Sequence, residues 1–128
     1  MGESLPSLSE TQWEVMRAVW DLREATVSEV WAQLAGEREV ARNTVLTQMD
    51  RLVKKGWLVR RQGSRGHLYA AAQSAEQTRR EHLQRWVETA FDGAADKLVL
   101  SLLESETLTD EQAARIRRLI DQARRKRK

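Results

Sequence analysis

Hydrogen-bonding and cationic side chains are concentrated between residues 42 and 65, in an order that suits contact with DNA. Small polar groups and an arginine come first, on one face of an expected helix: Arg42, Asn43, Thr44 and Thr47. Groups of this kind bond the edges of bases in a major groove, so we predict that these residues read the DNA sequence. Further cations follow on the helix and on a hairpin: Arg51, Lys54, Arg60, Arg61 and Arg65. Because charge alone distinguishes no base, we predict that these cations contact phosphates.

The charge pattern decides between this interpretation and a merely solvated polar face. From Arg42 to Arg65 there are seven basic residues and a single acid, Asp50. Residues 3–39, by contrast, carry eight acids and three arginines. A change of sign within one small domain is typical of a nucleic-acid-binding face. We expect Asp50 to pair with Lys54, four residues further along the same helix.

The elements that must position these residues follow one another without a break. Thr26 and Glu29 have the spacing of a helix capping box, and apolar residues then recur at helical intervals. A polar turn leads to a second helix over about 41–55, and Gly56 suits a left-handed cap at its end. Two short strands around a turn at 63–66 predict a β-hairpin. This order predicts a winged helix-turn-helix, a mainly α fold with a small β-hairpin wing.

Apolar residues at helical spacing predict which helix faces are buried. The second helix of the motif presents the following set: Val45, Met49, Leu52 and Val53. A first helix over about 9–21, where Ser9 and Gln12 repeat the capping-box spacing, presents another: Trp13, Met16, Val19 and Trp20. Tryptophans spaced with aliphatic residues are typical of a core, so we do not interpret them as base-stacking aromatics.

Three amphipathic helices without strands are predicted after the hairpin, over about 75–92, over about 94–103 and from Thr109 onwards. They hold too few large apolar residues to bury a core of their own. A second copy of the chain, related by a two-fold axis, would bury the apolar faces of these helices against its own. We predict that the contact between the two copies, called the seam below, is formed by Phe91, Leu98, Leu102, Ile116 and Ile120. We therefore expect a winged-helix domain over 1–73 and a helical dimerisation domain with a basic tail over 74–128, although a monomer whose helices fold back stays open.

The composition argues against several other classes of protein. There is no cysteine, and His67 and His82 have no ligand partners at metal-binding spacing, so we expect no metal and no cofactor. No phosphate-binding loop, nucleophile elbow or paired-carboxylate motif is present, which argues against an enzyme. The absence of a long apolar run and of a signal peptide predicts a cytoplasmic protein. We interpret the basic run 124–128 as a solvated tail rather than a second DNA contact.

Several segments together carry a resemblance to a known family: Leu8-Ser9, Glu14-Val15-Met16, Val19-Trp20, Thr26-Val27-Ser28-Glu29-Val30, Thr44-Val45, Thr47, Arg51-Leu52, Lys54-Lys55-Gly56, Tyr69 and Leu98-Val99-Leu100. Over about residues 8–121 the chain resembles the penicillinase and methicillin-resistance repressors of bacteria. The resemblance implies a dimeric winged-helix repressor bound to inverted-repeat operators. It also implies relief of repression when a membrane-embedded sensor protease, triggered by a β-lactam, leads directly or indirectly to a cut in the dimerisation region.

The chain departs from the family pattern at two points. The best-known members are cut between an Asn and a Phe, whereas the matching residues here are Ser101 and Leu102. The copper-responsive branch carries a cysteine-rich metal hook, which a chain without cysteine cannot form. Two other functions stay open, namely a winged-helix repressor relieved by a small ligand and a winged-helix protein-interaction module. The second of these predicts no clustered bases on the helix and hairpin.

Overall fold

The computed structural model describes residues 5–126, so residues 1–4 and the last two residues of the basic tail, 127–128, lie outside it. The elements in chain order are α1 (Glu10–Leu22), β1 (Glu24–Ala25), α2 (Val27–Ala35), α3 (Arg42–Lys54), β2 (Leu58–Gly63), β3 (Gly66–Ala71), α4 (Ala75–Ala90), α5 (Ala95–Glu104) and α6 (Asp110–Lys126). This order confirms the mainly α fold with a hairpin wing. The expected helix bounds hold to within half a turn.

Capping boxes are present at the starts of the helices for which the sequence predicted them. At α1 the Ser9 hydroxyl accepts the N–H of Gln12 at 3.1 Å, and the Gln12 side chain accepts the N–H of Ser9 at 3.0 Å. Thr26 and Glu29 make the same pair of bonds at α2, at 3.1 and 2.9 Å. Thr109 and Gln112 repeat it before α6. Each box satisfies backbone donors that have no partner within the helix, which explains why the helices begin where they do.

The end of α3 turns the chain into the wing. Gly56 has φ +89°, a conformation that costs glycine little and other residues more. Its N–H donates to the carbonyl of Val53, and the N–H of Trp57 donates to that of Leu52. These are the two bonds of a Schellman motif, so the predicted left-handed cap is confirmed. Trp57, the residue just before β2, is buried, and its indole N–H donates to the carbonyl of Pro6 at 2.8 Å.

The wing belongs to a three-stranded antiparallel sheet with the order β1-β3-β2. The hairpin was predicted, but β1 was not, because its two residues are too short to show any alternation. Glu24 pairs with Ala70, and Ala25 pairs with Tyr69. β1 therefore fixes the wing to the segment that leads into α2.

The core of the winged helix lies between the helices and the sheet. It includes Met16 and Val19 of α1 and Val45, Met49 and Leu52 of α3, all buried as predicted. The remaining predicted core residues are half-buried against this cluster or beside it: Trp13, Trp20 and Val53. The indoles of Trp20 and Trp31 donate to backbone carbonyls, which supports their interpretation as packing residues.

The chain divides into two compact units, Met1–His82 and Leu83–Lys128, with the boundary inside α4. In the second unit Leu98 is the one buried hydrophobic residue among those described. Large apolar side chains of this unit are exposed: Leu83, Trp86, Leu100, Leu102, Leu103, Leu119 and Ile120. Within residues 5–126 no helix is both long and apolar enough to cross a membrane.

Candidate nucleic-acid interface

Helix α3 presents two chemically different faces. Val45, Met49 and Leu52 are buried against the core, because α3 packs on α1 and α2. The opposite face is exposed along its whole length and carries Asn43, Thr44, Thr47, Arg51 and Lys54. The predicted separation of the faces is therefore confirmed. Uncharged hydrogen-bonding groups lie near the start of the exposed face, and cations lie near its end.

Arg42, the first residue of α3, is held by the neighbouring helix. Its Nε and Nη2 both donate to the hydroxyl of Ser28, at 3.2 and 2.9 Å. Ser28 lies in the first turn of α2, so this contact links the starts of the two helices of the motif. No local sequence pattern indicates this partner, because Ser28 lies 14 residues earlier in the chain.

The two adjacent arginines of β2 project to opposite faces of the sheet. Arg60 is opposite Tyr69 in the ladder, and Arg61 is opposite Leu68. Successive side chains of a strand alternate in direction, so neighbours in sequence are not neighbours in space. Arg60 turns towards α3, where its Nη1 lies 3.6 Å from an oxygen of Asp50. On the other face, Arg61 makes two bonds to Glu24, at 2.7 and 2.8 Å.

The expected pair between Asp50 and Lys54 is wrong. Asp50 instead faces Arg60 of the wing, while Lys54 is exposed and takes part in no ion pair within residues 5–126. One carboxylate oxygen of Asp50 is shielded from solvent and has no hydrogen-bond partner among the described residues. Helical spacing places Asp50 and Lys54 near each other, but the fold brings a cation from another element to the same carboxylate.

Arg65 lies at the wing tip, beside Gly66, whose φ is +106°. The side chain of Arg65 is 67% exposed, and its Nη1 lies 3.4 Å from an oxygen of Glu29 at the start of α2. An open groove of about 510 Å³ separates the wing from the starts of α2 and α3. Its lining includes Ser28, Arg42, Leu46, Arg65, His67 and Tyr69. The groove thus joins the wing-tip cation to the cation that begins α3.

Two of the acids around the wing, Glu24 and Glu29, have pKa values below the ordinary value of a glutamate. The hydrogen bonds from Arg61 lower the pKa of Glu24, and the same pair raises the pKa of Arg61. The N–H of Thr26 lowers the pKa of Glu29, with smaller contributions from the Thr26 hydroxyl and from Arg65. The three wing arginines face carboxylates of three different elements: Arg61 faces β1, Arg65 faces α2 and Arg60 faces α3. Sequence reasoning missed all three of these acids as partners of the wing.

The residues predicted for the dimer seam differ in exposure within one chain. Leu98 is buried, Phe91 and Ile116 are half-buried, and Leu102 and Ile120 are exposed. Ser101 and Leu102, the expected cleavage positions, lie within α5, so the segment is helical as expected. Both are exposed in the single chain, although we expected an apolar segment at 98–103 to be buried and so protected from proteases.

Comparison with known proteins gives consistent results. The family model described as penicillinase repressor matches residues 8–122. The methicillin resistance regulatory protein MecI of Mammaliicoccus sciuri is 22% identical over 121 residues, covering 94% of this chain and 98% of that protein. The monomeric form of Bacillus licheniformis BlaI, solved in complex with the blaP half-operator, is 26% identical, covering 57% of this chain and 89% of that one, with a TM-score of 0.51.

A second group of structures shares the fold alone. A mutant MarR of Escherichia coli, solved in complex with operator DNA, is 21% identical, with a TM-score of 0.51 over 91% of this chain and 75% of that one. The winged-helix fold is thus found in both groups of solved structures, and the family match extends beyond the first unit into the second.

Proposed function

Because this chain belongs to the penicillinase repressor family, we propose that it is a transcriptional repressor that binds inverted-repeat operator DNA as a dimer. The observation that carries the proposal is the exposed face of α3, where amide and hydroxyl groups precede cations and the wing lies alongside. A related protein, BlaI, has been solved in complex with a half-operator, which supports DNA binding by this chain. A protein-interaction module would not need the clustered cations, so that alternative is disfavoured.

We assign two kinds of DNA contact to this surface. The base-reading residues are Arg42, Asn43, Thr44 and Thr47, and the phosphate contacts are Arg51, Lys54, Arg60, Arg61 and Arg65. The two cations at the end of α3 are exposed and make no ion pair within residues 5–126, so they can contact phosphates without breaking one. The wing arginines each have a carboxylate partner, so each must share its guanidinium or leave that partner.

The second unit supplies the proposed dimer contacts. Its helices leave large apolar side chains in solvent, and α6 buries no residue in the single chain. Several large apolar side chains left in solvent are typical of a protein-protein contact, and a second copy would cover the same residues on both chains. We therefore retain Phe91, Leu98, Leu102, Ile116 and Ile120 as the seam.

The proposed dimer and operator can be tested together. Double-stranded DNA selected by the full-length protein from a random pool should contain two half-sites related by a two-fold axis. Sedimentation should show a dimer at micromolar concentration. A stable monomer that binds a single half-site with full affinity would contradict the proposal.

Relief of repression is proposed to follow a cut near Ser101-Leu102. A cut there would separate α6 from the rest of the second unit and so remove part of the seam. Because the segment is helical, cleavage needs local opening or a dedicated protease, such as a membrane sensor acting directly or through another protease. Mass spectrometry of the repressor from β-lactam-treated cells that carry the sensor should detect the fragments. Derepression with an intact chain would instead favour a small ligand, for which the groove beside Arg42 and Arg65 offers a place.

A further inference from the structure

The carboxylate of Glu29 makes two contacts that belong to different parts of the molecule. One oxygen accepts the N–H of Thr26 at 2.9 Å and so completes the capping box of α2. The other oxygen lies 3.4 Å from Nη1 of Arg65 at the wing tip. The cap does not require the second contact, because the box of α1 is completed by a neutral residue, Gln12. The negative charge at Glu29 therefore has a consequence beyond helix capping.

That charge lies among the groups proposed to contact DNA. Arg65 points into the groove that Arg42 also lines, and Arg42 is bound to Ser28, the residue immediately before Glu29. A phosphate that approached Arg65 would meet a carboxylate already beside the same guanidinium. If Arg65 stays in place, the phosphate and the Glu29 carboxylate repel each other; if Arg65 swings away to the phosphate, its contact with Glu29 is lost.

We propose that Glu29 competes with DNA phosphate for Arg65. It thereby lowers the affinity of the winged-helix part of the chain, called the head below, for every duplex alike. This inference rests on the proposed function. The competition affects the phosphate contacts, which are independent of sequence, and leaves the base contacts of α3 unchanged. Because of this competition, a repressor that is not on its operator would bind other DNA less tightly than it would without the Glu29 charge.

Glu29→Gln isolates the charge from the cap, because Gln completes the boxes of α1 and α6 in this same chain. Glu37→Gln is the matched control. It removes the same charge just beyond the other end of α2, among residues that do not line the groove of Arg65. The duplexes are one selected by the parent protein and an unrelated one of equal length. Removing the Glu29 charge should tighten the binding of both duplexes by about 1.5- to 5-fold per bound head, the range typical of one exposed ion pair. The control should give a smaller change.

A double-mutant cycle identifies Arg65 as the group through which Glu29 acts. In an Arg65→Ala background, Glu29→Gln should have no greater effect than Glu37→Gln. Titration of the Glu29 carboxyl by NMR gives a readout that does not involve DNA: its pKa should rise in Arg65→Ala, because Arg65 helps to lower it.

Three results would overturn the inference: binding by Glu29→Gln no tighter than by Glu37→Gln, an undiminished gain without Arg65, or an unchanged Glu29 pKa in Arg65→Ala. Failure of the parent to bind any duplex would instead reject the proposed function.

Discussion

The wing arginines can be ranked by geometry, and the ranking predicts how the salt dependence of DNA binding changes when each is removed. Arg65 is 67% exposed at the tip and has one contact of 3.4 Å to a carboxylate. Arg61 is bound twice to Glu24, on the sheet face opposite to the one from which Arg60 reaches α3. We therefore expect Arg65→Ala to remove a phosphate contact and Arg61→Ala to remove much less.

The magnitude follows from counterion release. Each phosphate neutralised on duplex DNA contributes about 0.9 to the slope of log affinity against log salt. Loss of one contact per head should therefore lower the slope by about one unit per bound head. Between about 50 and 200 mM salt, this changes the affinity ratio of parent to variant by about 3.5-fold per head. For Arg61→Ala we expect less than half of that change in slope.

Fluorescence anisotropy with a labelled duplex, repeated at several salt concentrations, measures these slopes. Arg80→Ala is the matched control, because Arg80 is 70% exposed, lies on α4 and does not line the groove of Arg65. Base preference should be unchanged in every variant, since these cations are assigned to phosphates. Equal slopes for Arg65→Ala and Arg80→Ala, or a larger change for Arg61→Ala than for Arg65→Ala, would refute the ranking.

Three further predictions test other parts of the surface. Asn43→Ala and Thr47→Ala should each cost about 1–3 kcal/mol in operator binding and relax the preference at one position per half-site, as measured by selection from a random pool. Leu98 is the buried apolar residue of the described part of the second unit. Leu98→Ala should therefore weaken the dimer or destabilise this unit by about 2–5 kcal/mol, which sedimentation and thermal unfolding would detect. Arg61→Ala should raise the lowered pKa of Glu24, followed by NMR. In the parent, the stabilisation from this pair is present above the ordinary Glu pKa and is lost as pH falls through the lowered value.

Local features of the fold were predictable because their causes lie within a few residues of each other. The boxes at Ser9 and Thr26 depend on a partner three residues later, and the left-handed turn at Gly56 depends on a single residue type. The two faces of α3 follow from helical periodicity alone. These local signals are sufficient to place the base-reading candidates on an exposed surface.

The features that sequence reasoning missed depend on contacts between distant residues. The strand at Glu24 has no periodic signal, and the partners of Asp50 and Arg42 are supplied by other elements. One missed feature did have a signal. Arg60 and Arg61 are adjacent in a strand, and alternation alone would have placed them on opposite faces. The sequence-based grouping of the wing cations took account of their charge but not of their direction.

The low burial of the second unit connects the proposed dimer to the proposed control of repression. If its apolar faces are covered only in the dimer, the joined heads bind two half-sites with an effective concentration in the millimolar range. Micromolar binding by one head would then become about a thousand-fold tighter for the pair. Separation of the chains, by a cut in α5 or by mutation of the seam, would remove this factor without altering any residue that contacts DNA. The weak contacts of the wing are compatible with such control, because operator occupancy would depend mainly on whether the heads are joined.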